Sequence, residues 1–94
     1  MKKSTMDDIE STLRALADRL RHRLALVDLR GDGASQFLYL IGNGRSAEVS
    51  RHEDGFWLEL WDSLEESALP IAEVTVSSIE EVESALLDHF AVVG

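Results

Sequence analysis

The stretch His52–Ser63, HEDGFWLELWDS, runs a turn signal straight into an aromatic extended segment. Both tryptophans of the chain and one of its three phenylalanines lie within six residues of one another there. Successive side chains of a strand point to opposite faces. Phe56, Leu58 and Leu60 therefore share one face, and Trp57, Glu59 and Trp61 share the other. Both faces carry large apolar groups, yet a two-layer fold covers only one of them. What the second face is for is the central question of the sequence.

Immediately upstream, Gln36–Ile41 (QFLYLI) and Arg45–His52 flank Gly42-Asn43-Gly44. Asn-Gly between apolar runs is the strongest short-range hairpin signal, because a type I′ turn needs positive φ at both central residues. Asp54-Gly55 repeats the signal before Phe56–Asp62. With Asn43-Gly44 at the centre of the first turn, Leu38 pairs with Val49, Tyr39 with Glu48, Leu40 with Ala47 and Ile41 with Ser46. With Asp54-Gly55 at the centre of the second, Val49 pairs with Leu60, Ser50 with Glu59 and His52 with Trp57. Glu48 and Glu59 then share a face without being directly opposite. The two turns agree on one apolar face, which a one-residue slip would scramble.

Further out, Met6–Val27 predicts the first helix, its stripe made by Ile9, Leu13, Leu16, Ala17, Leu20, Leu24 and Val27. Ser4 or Thr5 suits its N-cap, and Asp7, Asp8 and Glu10 suit the positive end of its dipole. Arg14, Arg19, Arg21 and Arg23 flank the stripe on both sides, the placement of side chains edging a buried face. Asp28–Ser35 (DLRGDGAS), with two glycines and two aspartates, reads as a loop, although Leu24–Leu29 could contribute a short extended piece. Ser63–Leu69 reads as a polar loop, and Ile71–Val76 after Pro70 as a fourth strand. Ser77 or Ser78, with Glu80 or Glu81 three residues on, forms a capping box for a second helix from about Ile79 to Phe90. The expected fold is a single α+β domain over residues 1–94. It has two layers, a four-stranded antiparallel meander with N- and C-terminal helices on one face, in the order α-β-β-β-β-α.

Composition narrows the chemistry. The 94 residues carry no cysteine, so disulfides, thiolate metal sites and cysteine nucleophiles are excluded. Residues 1–30 carry a net +2 and residues 31–94 a net −11, which together make the formal −9. That field repels phosphate backbones and attracts basic partners. MKKSTMDDIE reaches aspartates before any apolar run, unlike a signal peptide, and no apolar stretch approaches the roughly 20 residues of a membrane span. The expectation is a cytoplasmic protein that binds neither nucleic acid nor membrane.

No G-x-G-x-x-G, P-loop, G-x-S-x-G or H-E-x-x-H is present. Ser50 and His52 share a strand face, but residues two apart lie roughly 7 Å from each other, too far for a hydrogen bond. His22, His52 and His89 fall on different elements. No cofactor, metal or catalytic residue is therefore expected. The uncovered face would display Phe37, Tyr39, Ile41, Trp57, Trp61 and Ile71 around Glu48, Glu59 and Glu73. A contiguous aromatic patch of that kind usually marks an interface. The expected partner-binding residues are Phe37, Tyr39, Glu48, Trp57, Glu59, Trp61 and Glu73. They would serve a non-catalytic, self-associating protein-binding module. One alternative is an inhibitor of the immunity-protein type that neutralises a basic partner. The other is a small-ligand carrier or enzyme with a pocket between sheet and helices.

Overall fold

The computed structural model describes residues 5–32, 35–53, 55–65 and 68–91, with side chains from Thr12 onward. Two helices and five strands follow in the order α1 (Thr5–Leu20), β1 (Leu26–Arg30), β2 (Phe37–Gly42), β3 (Arg45–His52), β4 (Gly55–Trp61), β5 (Ala72–Val76) and α2 (Ile79–His89). The strands form one antiparallel sheet in sequence order, a pure meander. The α+β class and the antiparallel sheet flanked by N- and C-terminal helices are as the sequence indicates, with five strands in place of four.

The added strand is β1, taken from the end of the expected first helix and the start of the expected Asp28–Ser35 loop. The helix stops at Leu20 rather than Val27. Leu24, Val27 and Leu29 still pack against the core, Leu24 from the bend after the helix and Val27 and Leu29 from the strand. Residues 20, 24 and 27 keep helical spacing, whereas 27 and 29 keep strand spacing, so both patterns fit locally. Five ladder pairs with β2, from Leu26–Ile41 to Arg30–Phe37, favour the strand. Ser4 as N-cap lies outside the described residues.

The first hairpin has the expected register, Leu38–Val49 through Ile41–Ser46, and Asn43 and Gly44 hold φ of 51° and 75°. The second hairpin is shifted. Its turn comes one residue earlier, with Glu53 at φ 53°, so His52 pairs with Gly55 and every later pair moves by two. Val49 meets Leu58 instead of Leu60, and Glu48 stands directly opposite Glu59. Asp54 itself lies outside the described residues. A two-residue shift leaves every side chain on its expected face, which is why hydrophobic pattern alone cannot detect it.

The covered face joins Leu38, Leu40, Ala47, Val49, Phe56, Leu58 and Leu60 to Leu13, Leu16, Ala17 and Leu20 of α1 and to Val82, Leu86 and Phe90 at α2. α1 lies over β1 and β2, and α2 lies over β4. Between the helices Arg19 meets Glu83 at 3.0 Å. The capping box forms around Ser78, whose hydroxyl accepts from the Glu81 backbone N–H at 3.2 Å, while Glu81 Oε1 accepts from the Ser77 N–H. At its other end α2 is tied to the sheet. Asn43 and Arg45 donate to the carbonyls of Phe90 and His89, and His89 Nε2 donates to the carbonyls of Ser46 and Trp61. With two carbonyl acceptors, Nε2 must be the protonated nitrogen.

Candidate functional site

Register stacks the uncovered face into three rows across the sheet. The middle row runs Asp28, Tyr39, Glu48, Glu59, Glu73 from β1 to β5. On one side lies Arg30, Phe37, Ser50, Trp57, Thr75, and on the other Leu26, Ile41, Ser46, Trp61, with Ile71 just before β5. All seven expected partner-binding residues, Phe37, Tyr39, Glu48, Trp57, Glu59, Trp61 and Glu73, stand on this one face. Their three glutamates are adjacent in a single line, with Glu48 and Glu59 directly opposite rather than offset as expected from the sequence.

The aromatic groups are less open than the sequence suggested. Phe37, Tyr39, Ile41, Trp57 and Trp61 are half-buried against their neighbours, and only Ile71 among the apolar groups expected on this face is exposed, at 59%. Trp61 is held by a hydrogen bond from its Nε1 to the Ala68 carbonyl at 2.9 Å, so the segment after β4 folds back against it. Ser46, buried despite facing outward, donates to the Ser63 carbonyl at 2.9 Å and pins the same segment. Trp57 has His52 beside it, ring centroids 6.5 Å apart. Trp61 is therefore held in place by the fold itself.

At the β1 end Arg30 lies over the Tyr39 ring, 4.4 Å from its centroid, and its Nε donates to Asp28 Oδ2 at 2.8 Å. A guanidinium stacked on an aromatic ring and paired with a carboxylate is a favourable cation site. Neither Asp28 nor Arg30 was singled out from the sequence, because both fell in the expected loop. The alternation of Val27 and Leu29 with Leu26, Asp28 and Arg30 was the signal that places them. Arg30, Tyr39, Ser46, Glu48, Trp61 and Glu65 together line a cleft of about 140 Å³.

Electrostatics follow from the middle row. The Glu48 carboxyl is raised above its ordinary value of 4.5, chiefly by burial and then by the Glu59 carboxylate opposite, while Arg30 pulls it the other way. Across this face four strand carboxylates, at 28, 48, 59 and 73, oppose one strand guanidinium. Among the described residues no three histidine, aspartate or glutamate side chains converge as metal ligands. Nor is any described helix long and apolar enough to cross a membrane. The interior between sheet and helices is filled by fully buried leucines, valines and Phe90, and a larger groove of about 720 Å³ lies at the surface beside α2. No family model, curated protein or solved structure matches the chain.

Proposed function

We propose that this chain is a small, non-catalytic protein-binding module whose uncovered sheet face docks a basic partner protein. The observation that carries the proposal is the line Glu48–Glu59–Glu73 on three adjacent strands, flanked by Trp57 and Trp61. Like charges directly opposite on neighbouring strands are destabilising. A cationic surface laid on the row would relieve that repulsion and bury the indoles, which are strong anchors at interfaces.

The same row argues against the face meeting a second copy of itself, since two-fold packing would bring acidic rows together and add like-charge repulsion. Self-association is therefore the weaker form of this function. An inhibitor that neutralises a basic partner, in the manner of an immunity protein, is the stronger one, because acidic complementarity is what such a protein needs.

Affinity capture from native lysate tests the proposal, comparing the wild-type chain with the Glu48→Gln/Glu59→Gln/Glu73→Gln variant. A basic protein retained by the wild type, released at high ionic strength and lost with the variant supports it. Capture unaffected by the three substitutions rejects it. A stable dimer in sedimentation of the isolated chain, abolished by Trp57→Ser, would select self-association instead.

A further inference from the structure

We infer that the cleft between Trp61, Tyr39, Glu48 and Glu65 seats one arginine side chain of the partner, its guanidinium stacked on the Trp61 indole and hydrogen-bonded to the two carboxylates. This deepens the proposed docking of a basic protein and rests on it. Size is the first argument. A volume of about 140 Å³ is well below the roughly 300–1,000 Å³ of pockets that enclose free small molecules, and it suits a single inserted side chain. Charge is the second. Glu48 and Glu65 line the cleft from β3 and from the segment after β4, and Glu59 stands directly opposite Glu48. The third argument is rigidity, since Trp61 and Ser46 are fixed by hydrogen bonds to Ala68 and Ser63 that leave these two side chains little freedom to lose on binding.

The face already contains one example of the same chemistry. Arg30 stacks on Tyr39 at 4.4 Å while Asp28 accepts from its Nε at 2.8 Å. Trp61, Glu48 and Glu65 offer an equivalent aromatic and carboxylate set across the cleft. A planar guanidinium matches that set better than an ammonium, because it can stack and donate in two directions at once. Arg30 forms one wall, and its own charge is met by Asp28. It acts on Glu48 as well and so weakens an incoming cation's attraction. The Glu48 carboxyl, raised by burial and by Glu59, gains from an added cation, so occupancy strengthens as pH rises past the ordinary glutamate range.

The test is a titration of the ¹⁵N-labelled chain with the blocked peptide Gly-Ser-Arg-Ser-Gly and with its citrulline counterpart, which keeps the shape and removes the charge. The arginine peptide is expected to shift the Trp61 indole N–H signal and leave that of Trp57 nearly unmoved. Citrulline is expected to bind about tenfold more weakly, as is arginine at the Glu65→Gln variant, while Arg30→Gln binds arginine more tightly. Equal shifts from the two peptides, or shifts at Trp57 without Trp61, would overturn the inference. If Glu65→Gln keeps wild-type affinity for the arginine peptide while the triple glutamine variant still loses the captured partner, the cleft assignment falls and the docking function stands. If the peptide results hold but capture ignores the glutamates, the docking function falls.

Discussion

At the residue scale, Glu48 carries the most information. Its carboxyl is held above the ordinary 4.5 mainly by burial, then by Glu59. Below the ordinary value both folded and unfolded chains are protonated and the group costs nothing. As pH rises through that value the unfolded chain gives up its proton first, so stability declines until the elevated folded value is passed. Glu48→Gln is therefore expected to stabilise the protein near neutral pH and to have little effect at acidic pH. Carboxyl titration by NMR should place Glu48 above its unfolded value, and Arg30→Gln should raise it further by removing the opposing cation. A Glu48 midpoint at or below 4.5 would contradict this reading. The sequence showed that Glu48 shares a face with Glu59, because alternation is fixed by period two. It could not show that the two are directly opposite, because a turn one residue earlier changes partners without changing faces.

Elements explain that shift. Gly55 leads β4 where the end of β5 comes close, and a Cβ on it would overlap the Val76 carbonyl oxygen. The Asp-Gly pair reads as a turn centre, but its glycine is taken instead for a strand position that tolerates no side chain. Gly55→Ala is expected to cost about 1–3 kcal/mol in chemical denaturation, and a neutral effect would show that the strands can part there at no cost. The end of α2 is a second such place. Ala91 follows the C-cap with φ of 56°, a conformation that glycine adopts freely and alanine does not. Ala91→Gly should stabilise the fold by about 1 kcal/mol, a rise in Tm of about 4–8 °C for a domain of this size. β1 was legible only as an alternative, the short extended piece within Leu24–Leu29, for a different reason. Leu20, Leu24 and Val27 satisfy helical spacing as well as they satisfy the observed turn and strand, and only the ladder with β2, a long-range partner, separates the two. The Ser78 capping box, by contrast, was legible because its signal is contained within four residues.

For the whole molecule, the division of labour between the two sheet faces was legible from alternation and turn signals alone. Leu38, Leu40, Val49, Leu58 and Leu60 are buried, and Trp57, Glu59 and Trp61 are turned away from the helices. The pinning of Trp61 by Ala68 and the Arg30–Tyr39 stack were not legible, since each depends on a loop or edge strand brought in from elsewhere in the chain. At this scale the arrangement sets stability against use. A meander with two helices could carry any polar residues on its outer face, yet this one places three glutamates side by side, and burial together with Glu59 holds the Glu48 carboxyl above its ordinary range. A charged group that costs stability on an uncovered face is what a trade-off between stability and binding would leave there. Thermal unfolding of the Glu48→Gln/Glu59→Gln/Glu73→Gln variant against the wild type, at neutral and at acidic pH, tests this most directly. A variant with the higher Tm at neutral pH, the gap closing on acidification, is the expected result. A variant with the lower Tm at neutral pH would show that the glutamate row supports the fold, and would contradict its assignment as a docking surface.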